Sequence, residues 1–179
     1  MNDLRIGAST VSTLAEFSDH GLKGRGSEPS LLAEPTSPAW LLTIATGVKV
    51  SVAASDVIYI YPELPPVFAI PQTPAHVLGV LNWQQSLVPV IDLGRHWGLQ
   101  SEPNCAASQS VMVLLMLADT RLGAMALEQI PERVMVADSS QCELPASLEP
   151  WQALTASCFM DASHGAVPIL DLNAVFGGG

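Results

Sequence analysis

The sequence predicts an all-β protein, mainly strand with a few short helices, in which two similar small β-units pack on a shared core. Three observations carry this reading. Apolar residues fall in short β-branched runs separated by Gly, Pro and Asn turns, and not at helical spacing. The run Val88-Pro89-Val90-Ile91-Asp92-Leu93, with Trp97-Gly98 after it, returns as Val167-Pro168-Ile169-Leu170-Asp171-Leu172 with Phe176-Gly177, an offset of 79 residues. Finally, 49% hydrophobic against 13% charged residues in a chain of 179 calls for a large apolar core, which either half alone is too small to bury well.

Residues 1–38 read as a flexible N-terminal tail, rich in Ser, Thr, Gly and Pro with no sustained period. Order is expected from 39 onward, divided at about 103 into a first unit, 39–103, and a second, 104–179. Trp40–Ile44 and Val48–Val52 flank the turn pair Thr46-Gly47 and predict a hairpin. Val57–Tyr61, with β-branched and aromatic residues alternating, is expected to extend that hairpin as a third strand. The five prolines from Pro62 to Pro74 forbid helix and predict an ordered loop.

Val77–Leu81 and Leu87–Ile91 pair as strands around a polar tip, Asn82–Ser86. Pro89, lacking an N–H, belongs at an edge or bulge. Asp92 is placed to cap a short helix running to Trp97, which Gly98 closes in the left-handed conformation. In the second half, Val111–Ala118 is the longest apolar run and suits a strand buried on both faces. Leu117–Leu122 loosely echoes the first hairpin. A helix is expected after Asp171 and another near Leu148–Leu154.

Charge narrows the function. Seven Lys+Arg against seventeen Asp+Glu give −10, spread as −2 over 1–38, −2 over 39–103 and −6 over 104–179. Nucleic acid and anionic membrane surfaces are therefore unsuitable partners. No apolar run is long enough to insert in a bilayer, and no export signal is read at the N-terminus. Cys105, Cys142 and Cys158 are odd in number and widely spaced, so neither a disulfide framework nor a zinc knuckle is signalled, and a cytoplasmic location is expected. His20, His76, His96 and His164 fall in no catalytic or metal motif. Asp161, Ser163 and His164 lie close in sequence but flank a turn and lack an oxyanion feature. No catalytic residue, cofactor or metal is assigned.

Pro71-x-x-Pro74, Gly79-Val80-Leu81-Asn82, Val88–Leu93 and Gly98, in that order, resemble the core signature of the CheW-like adaptor family of bacterial chemosensory arrays. Leu122–Ile130 resembles that family's second-barrel hairpin and Val167–Phe176 its final strand and helix, so the resemblance covers about residues 39–177. It implies two five-stranded SH3-like β-barrels and a non-enzymatic scaffold. The implied partners are the cytoplasmic tip of a chemoreceptor (a methyl-accepting chemotaxis protein) and the regulatory domain of a CheA-type histidine kinase, in arrays anchored at the membrane.

One departure bears on function: the family reads Asn-x-Arg-Gly at the hairpin tip, and this sequence reads Asn82-Trp83-Gln84-Gln85. The missing arginine lies near the receptor-contacting groove in the family, and Gln85 stands where a residue tolerant of positive φ is needed. Versions of this kind resemble adaptors of pilus-type (twitching, PilI-like) systems, or a decoy that occupies array positions without activating the kinase. The partner-binding set drawn from these features is Val57, Tyr59, Gly79, Asn82, Trp83, Gln84, Gln85 and Val88. Trp83 suits the inter-barrel core as well as an interface.

Overall fold

A computed structural model describes residues 34–45, 47–99, 111–118 and 120–177. Most of the proposed tail lies outside the described residues, as do Thr46 and Asp119 of the two turns, His20 and Cys105. Among the described residues ten strands and two short α-helices follow in order: β1 Thr36–Ala45, β2 Val48–Ala53, β3 Val57–Tyr61, β4 Val77–Trp83, β5 Ser86–Ile91, α1 Leu93–His96, β6 Val111–Met116, β7 Leu122–Leu127, β8 Glu132–Ala137, β9 Thr155–Asp161, β10 Gly165–Leu170 and α2 Leu172–Gly177. They form two five-stranded sheets, β8-β1-β2-β10-β9 and β3-β6-β7-β5-β4.

The two orders are the same when β1–β5 are matched with β6–β10, so the sequence repeat is a structural one. Each repeat, however, is split between the sheets. Its leading hairpin stays in one sheet and its last three strands join the other. A division of the chain at residue 103 therefore does not separate the two barrels. Likewise β3 does not extend the β1–β2 hairpin. The free edge of β2 is taken by β10, which pairs parallel at Ile169↔Ser51. A 3-10 turn, Ala54–Asp56, instead sends β3 to β6. The cause is β6: Val111, Val113 and Leu115 face one core while Met112 and Leu114 face another, so it needs a strand at each edge.

Three apolar clusters result. The largest joins the sheets, with Leu42, Val50 and Leu170 from one and Val113, Met125 and Ile91 from the other, plus Leu93 and Leu172 from the helices. Leu81, Val88, Val90, Met112, Leu114 and Ala124 fill the interior of the second sheet, and Leu41, Phe159 and Val167 that of the first. Trp97, just after α1, stacks on Trp151 at 4.0 Å between centroids and 8° between planes, tying the first repeat to a 3-10 segment of the second, Ala146–Leu154.

Local punctuation follows the sequence. Asp92 caps α1, accepting from Arg95 N at 3.0 Å, and Gly98 has φ +67°. Asp171 accepts from Asn173 N at 2.9 Å and Ala174 N at 3.2 Å at the start of α2. Pro89 departs from the edge or bulge expected of it: β5 lies inside its sheet between β7 and β4, and the proline is tolerated because it faces Val80 while the parallel contact of β5 with β7 is confined to Val90 and Ile91, so its missing N–H removes no rung. Residues 34–38, assigned to the tail, belong to the fold. Thr36, Ser37 and Pro38 pair with Ala137, Val136 and Met135, and Glu34 accepts from Ser139 N at 2.7 Å and Ser139 Oγ at 2.8 Å. Pro38 is admissible there because β2 ends opposite Ala39, leaving no second ladder for it to break.

Candidate partner-binding surface

The hairpin β4–β5 turns on two residues, Gln84 and Gln85, with φ +47° and +71°. Both values are those of the turn that matches the twist of paired strands and favours Asn-Gly. Holding two glutamines there costs backbone energy that glycine would avoid. Asn82, Gln84 and Gln85 are exposed, and Trp83 is half-buried against the second-sheet core.

Trp83 does not stand alone. Its ring lies 5.5 Å from Tyr59 and 5.9 Å from Tyr61, and the two tyrosines meet edge to face at 4.7 Å. β3 and β4 are opposite edges of their sheet, so this aromatic cluster is where the sheet curls round and its edges meet. Burial, then the neighbouring Tyr59, raises the Tyr61 phenol above its ordinary range, and it is un-ionised at neutral pH. Tyr59 remains 46% exposed and Ile58 beside it 40% exposed. From Tyr59 an open groove of about 430 Å³ runs between the sheets, bounded by Trp40, Ala54, Val57, Ile58, Ile60 and Arg133. Groove, aromatic cluster and hairpin tip thus form one continuous surface.

Two members of the sequence-derived set lie elsewhere. Val88 is 1% exposed and points into the second-sheet core, so its side chain is closed to a partner. Gly79 is also buried, with φ +141°. A Cβ there would sit 2.2 Å from the carbonyl oxygen of Phe68. Its absence lets residue 68 bridge to Val80 through Phe68 N to Val80 O at 2.8 Å and Val80 N to Phe68 O at 2.9 Å. Both residues build the surface from behind.

Sequence reasoning missed the outward neighbours. Leu87 is 72%, Phe68 62% and Ile70 44% exposed. Strand parity could have found Leu87: with Val88 and Val90 inward, Leu87 and Pro89 must face outward. No comparable signal marks Phe68, because its place depends on a bridge to a distant strand.

Of the polar groups weighed for catalysis, Asp161, Ser163 and His164 come together in one turn. Asp161 Oδ1 accepts from Ser163 N and His164 N, both at 2.9 Å, and lies 2.7 Å from His164 Nδ1, closing the β9–β10 turn. Burial opposes ionisation of Asp161, but these bonds outweigh it and hold the carboxyl below its ordinary range. His76 and His96 meet edge to face at 4.4 Å. Among the described residues no three of His, Cys, Asp and Glu gather as metal ligands, and no helix is long and apolar enough to cross a membrane.

No curated protein matches the sequence significantly. The crystal structure of the scaffolding protein TtCheW from Thermoanaerobacter tengcongensis superposes with a TM-score of 0.65 at 15% identity, over 76% of this chain and 89% of that one, a likeness of fold. The model of the CheW-like domain matches residues 45–178, which take in β2 to β10 and both helices but only the last residue of β1, and by that match the chain belongs to the CheW-like domain family.

Proposed function

We propose that this protein is a non-enzymatic adaptor that couples the cytoplasmic tip of a chemoreceptor to the regulatory domain of a CheA-type histidine kinase. It would work in the cytoplasm against membrane-anchored receptor arrays, in a chemotaxis or pilus-type (twitching) system. The observation that carries the reading is the continuous surface from groove to hairpin tip: exposed aromatic and apolar side chains on rigid strands, with Arg133 at one end and neutral amides at the other. Such a surface suits association.

Titration calorimetry with a receptor-tip fragment and with the kinase regulatory domain tests it. Tyr59→Ala should weaken one of the two complexes at least about fivefold while the fold is kept, because truncating a central aromatic anchor typically costs more than about 1 kcal/mol. Binding of neither partner by the wild type refutes the proposal. Gln84→Arg addresses the departure at the tip. A charged donor exceeds a neutral one by on the order of 1 kcal/mol, roughly fivefold in affinity for a carboxylate-bearing tip.

A second reading rests on Gln84 itself. With an amide in the arginine position, the protein would occupy array sites without activating the kinase. Reconstituted arrays separate the two: an adaptor raises kinase activity above receptor and kinase alone, whereas a decoy lowers it in competition with a conventional adaptor.

A further inference from the structure

We infer that Cys142 and Cys158 are a redox-responsive pair, which a peroxide closes into an intrachain disulfide that clamps the Trp151 segment onto the barrels. The two thiols lie 16 residues apart in sequence and meet in the fold. Their Sγ atoms are 3.4 Å apart, and both cysteines are free. The backbone beneath them is already paired, with Cys142 N donating to Cys158 O at 2.9 Å and Gln141 bridging Phe159. A disulfide needs about 2.05 Å between sulfurs, so only about 1.4 Å has to be closed. Against Cys158 lies a small cavity of about 130 Å³, lined also by Val136, Gln141 and Ser157, which gives that side chain room to turn.

The environments assign the order of reaction. Cys142 is half-buried, whereas Cys158 is 3% exposed. Burial, and then the contact with Cys142, push the Cys158 thiol up to about 12, so it stays protonated while its neighbour reacts. The Cys142 thiolate attacks hydrogen peroxide. An S–O bond forms as the O–O bond breaks, and the hydroxide released takes up a proton as water. Cys158 sulfur then attacks the Cys142 sulfenic acid. The S–S bond forms as the S–O bond breaks, and the departing hydroxide takes the Cys158 proton. Two thiols and one peroxide thus give one disulfide and two waters.

What the bridge would hold is specific. Between the cysteines runs the 3-10 segment Ala146–Leu154, kept in place by Thr155 Oγ1 on Trp151 O at 2.9 Å and Asp171 N on Leu154 O at 3.0 Å. It delivers Trp151, 8% exposed, to the stack on Trp97. Closing the loop covalently makes departure of that segment harder.

The full chain treated with hydrogen peroxide tests this. Peptide mapping without reductant should find a Cys142–Cys158 crosslink, with Cys105 still open to alkylation. The melting temperature should rise by about 6–12 °C, as expected for closing a loop of this length in a domain of this size, and dithiothreitol should reverse the rise. Cys142→Ser, at the less buried position, should fold and show neither change. Crosslinks through Cys105, over-oxidation of Cys142 without a crosslink, or the same rise in Cys142→Ser would overturn the pair. A crosslink with no rise would overturn the clamp.

Discussion

Replacing Gly79 by alanine isolates the contact that lets residues 67–70 cover β4. The new Cβ would lie 2.2 Å from Phe68 O, 2.7 Å from Phe68 C and 3.0 Å from Ala69 Cα. All three are backbone atoms, so no rotamer change relieves the clash, and the segment must move off by about 1 Å to reach ordinary contact distance. That movement breaks or stretches Phe68 N to Val80 O and Val80 N to Phe68 O. Two such bonds contribute together about 1–3 kcal/mol net. The strained φ of +141° adds about 1–2 kcal/mol for a residue with a side chain. Loss of unfolded-state freedom returns roughly 0.4–1 kcal/mol. The expected net destabilisation is about 2–4 kcal/mol, or a melting temperature lower by about 5–15 °C. Urea denaturation measures it. Gly47→Ala is the control, having positive φ (+76°) with nothing within 4 Å of its added Cβ, and should lose no more than about 1 kcal/mol. Equal losses in the two variants would show that backbone strain alone operates at Gly79 and that the Phe68 bridge carries no stability.

Gln85→Gly should stabilise the protein by about 0.5–1 kcal/mol, because the αL penalty at φ +71° exceeds the entropic cost of glycine; a destabilised variant in the same urea assay would refute this. A chain beginning at residue 39 should melt several degrees below one beginning at 34, since it loses the Thr36–Pro38 pairing with β8; identical melting would return the boundary to 38. His96 is held below its ordinary range by burial and then by His76, so its neutral form is favoured in the folded state. Its contribution is complete above pH 6.5 and is lost as pH falls beneath that value, where the unfolded chain takes up the proton first. Stability measured between pH 7.5 and about 5 should therefore fall less steeply in His96→Gln, and unchanged slopes would refute the linkage.

The sequence by itself determined what depends on neighbours along the chain. The β1–β2 and β4–β5 hairpins, the Asp92 cap, the left-handed Gly98 and the repeat that places Asp92 and Asp171 alike all follow from turn chemistry and strand parity, which act over a few residues. The motif order around Gly79, Asn82 and Val88 was likewise enough to identify the family, because it records where the backbone must turn or approach closely. Tertiary structure alone decided which edge each strand would pair with. β3 could continue its hairpin or cross to β6, and the choice was made by β10 filling the edge of β2 and by β6 needing partners on both sides. The same long-range pairing turned Gly79 and Val88 inward, gathered Tyr59, Tyr61 and Trp83 at the closure of one sheet, and set Cys142 beside Cys158. Local propensity is silent on these placements because each is settled by competition among distant strands for the same hydrogen-bonding edges and the same apolar surface.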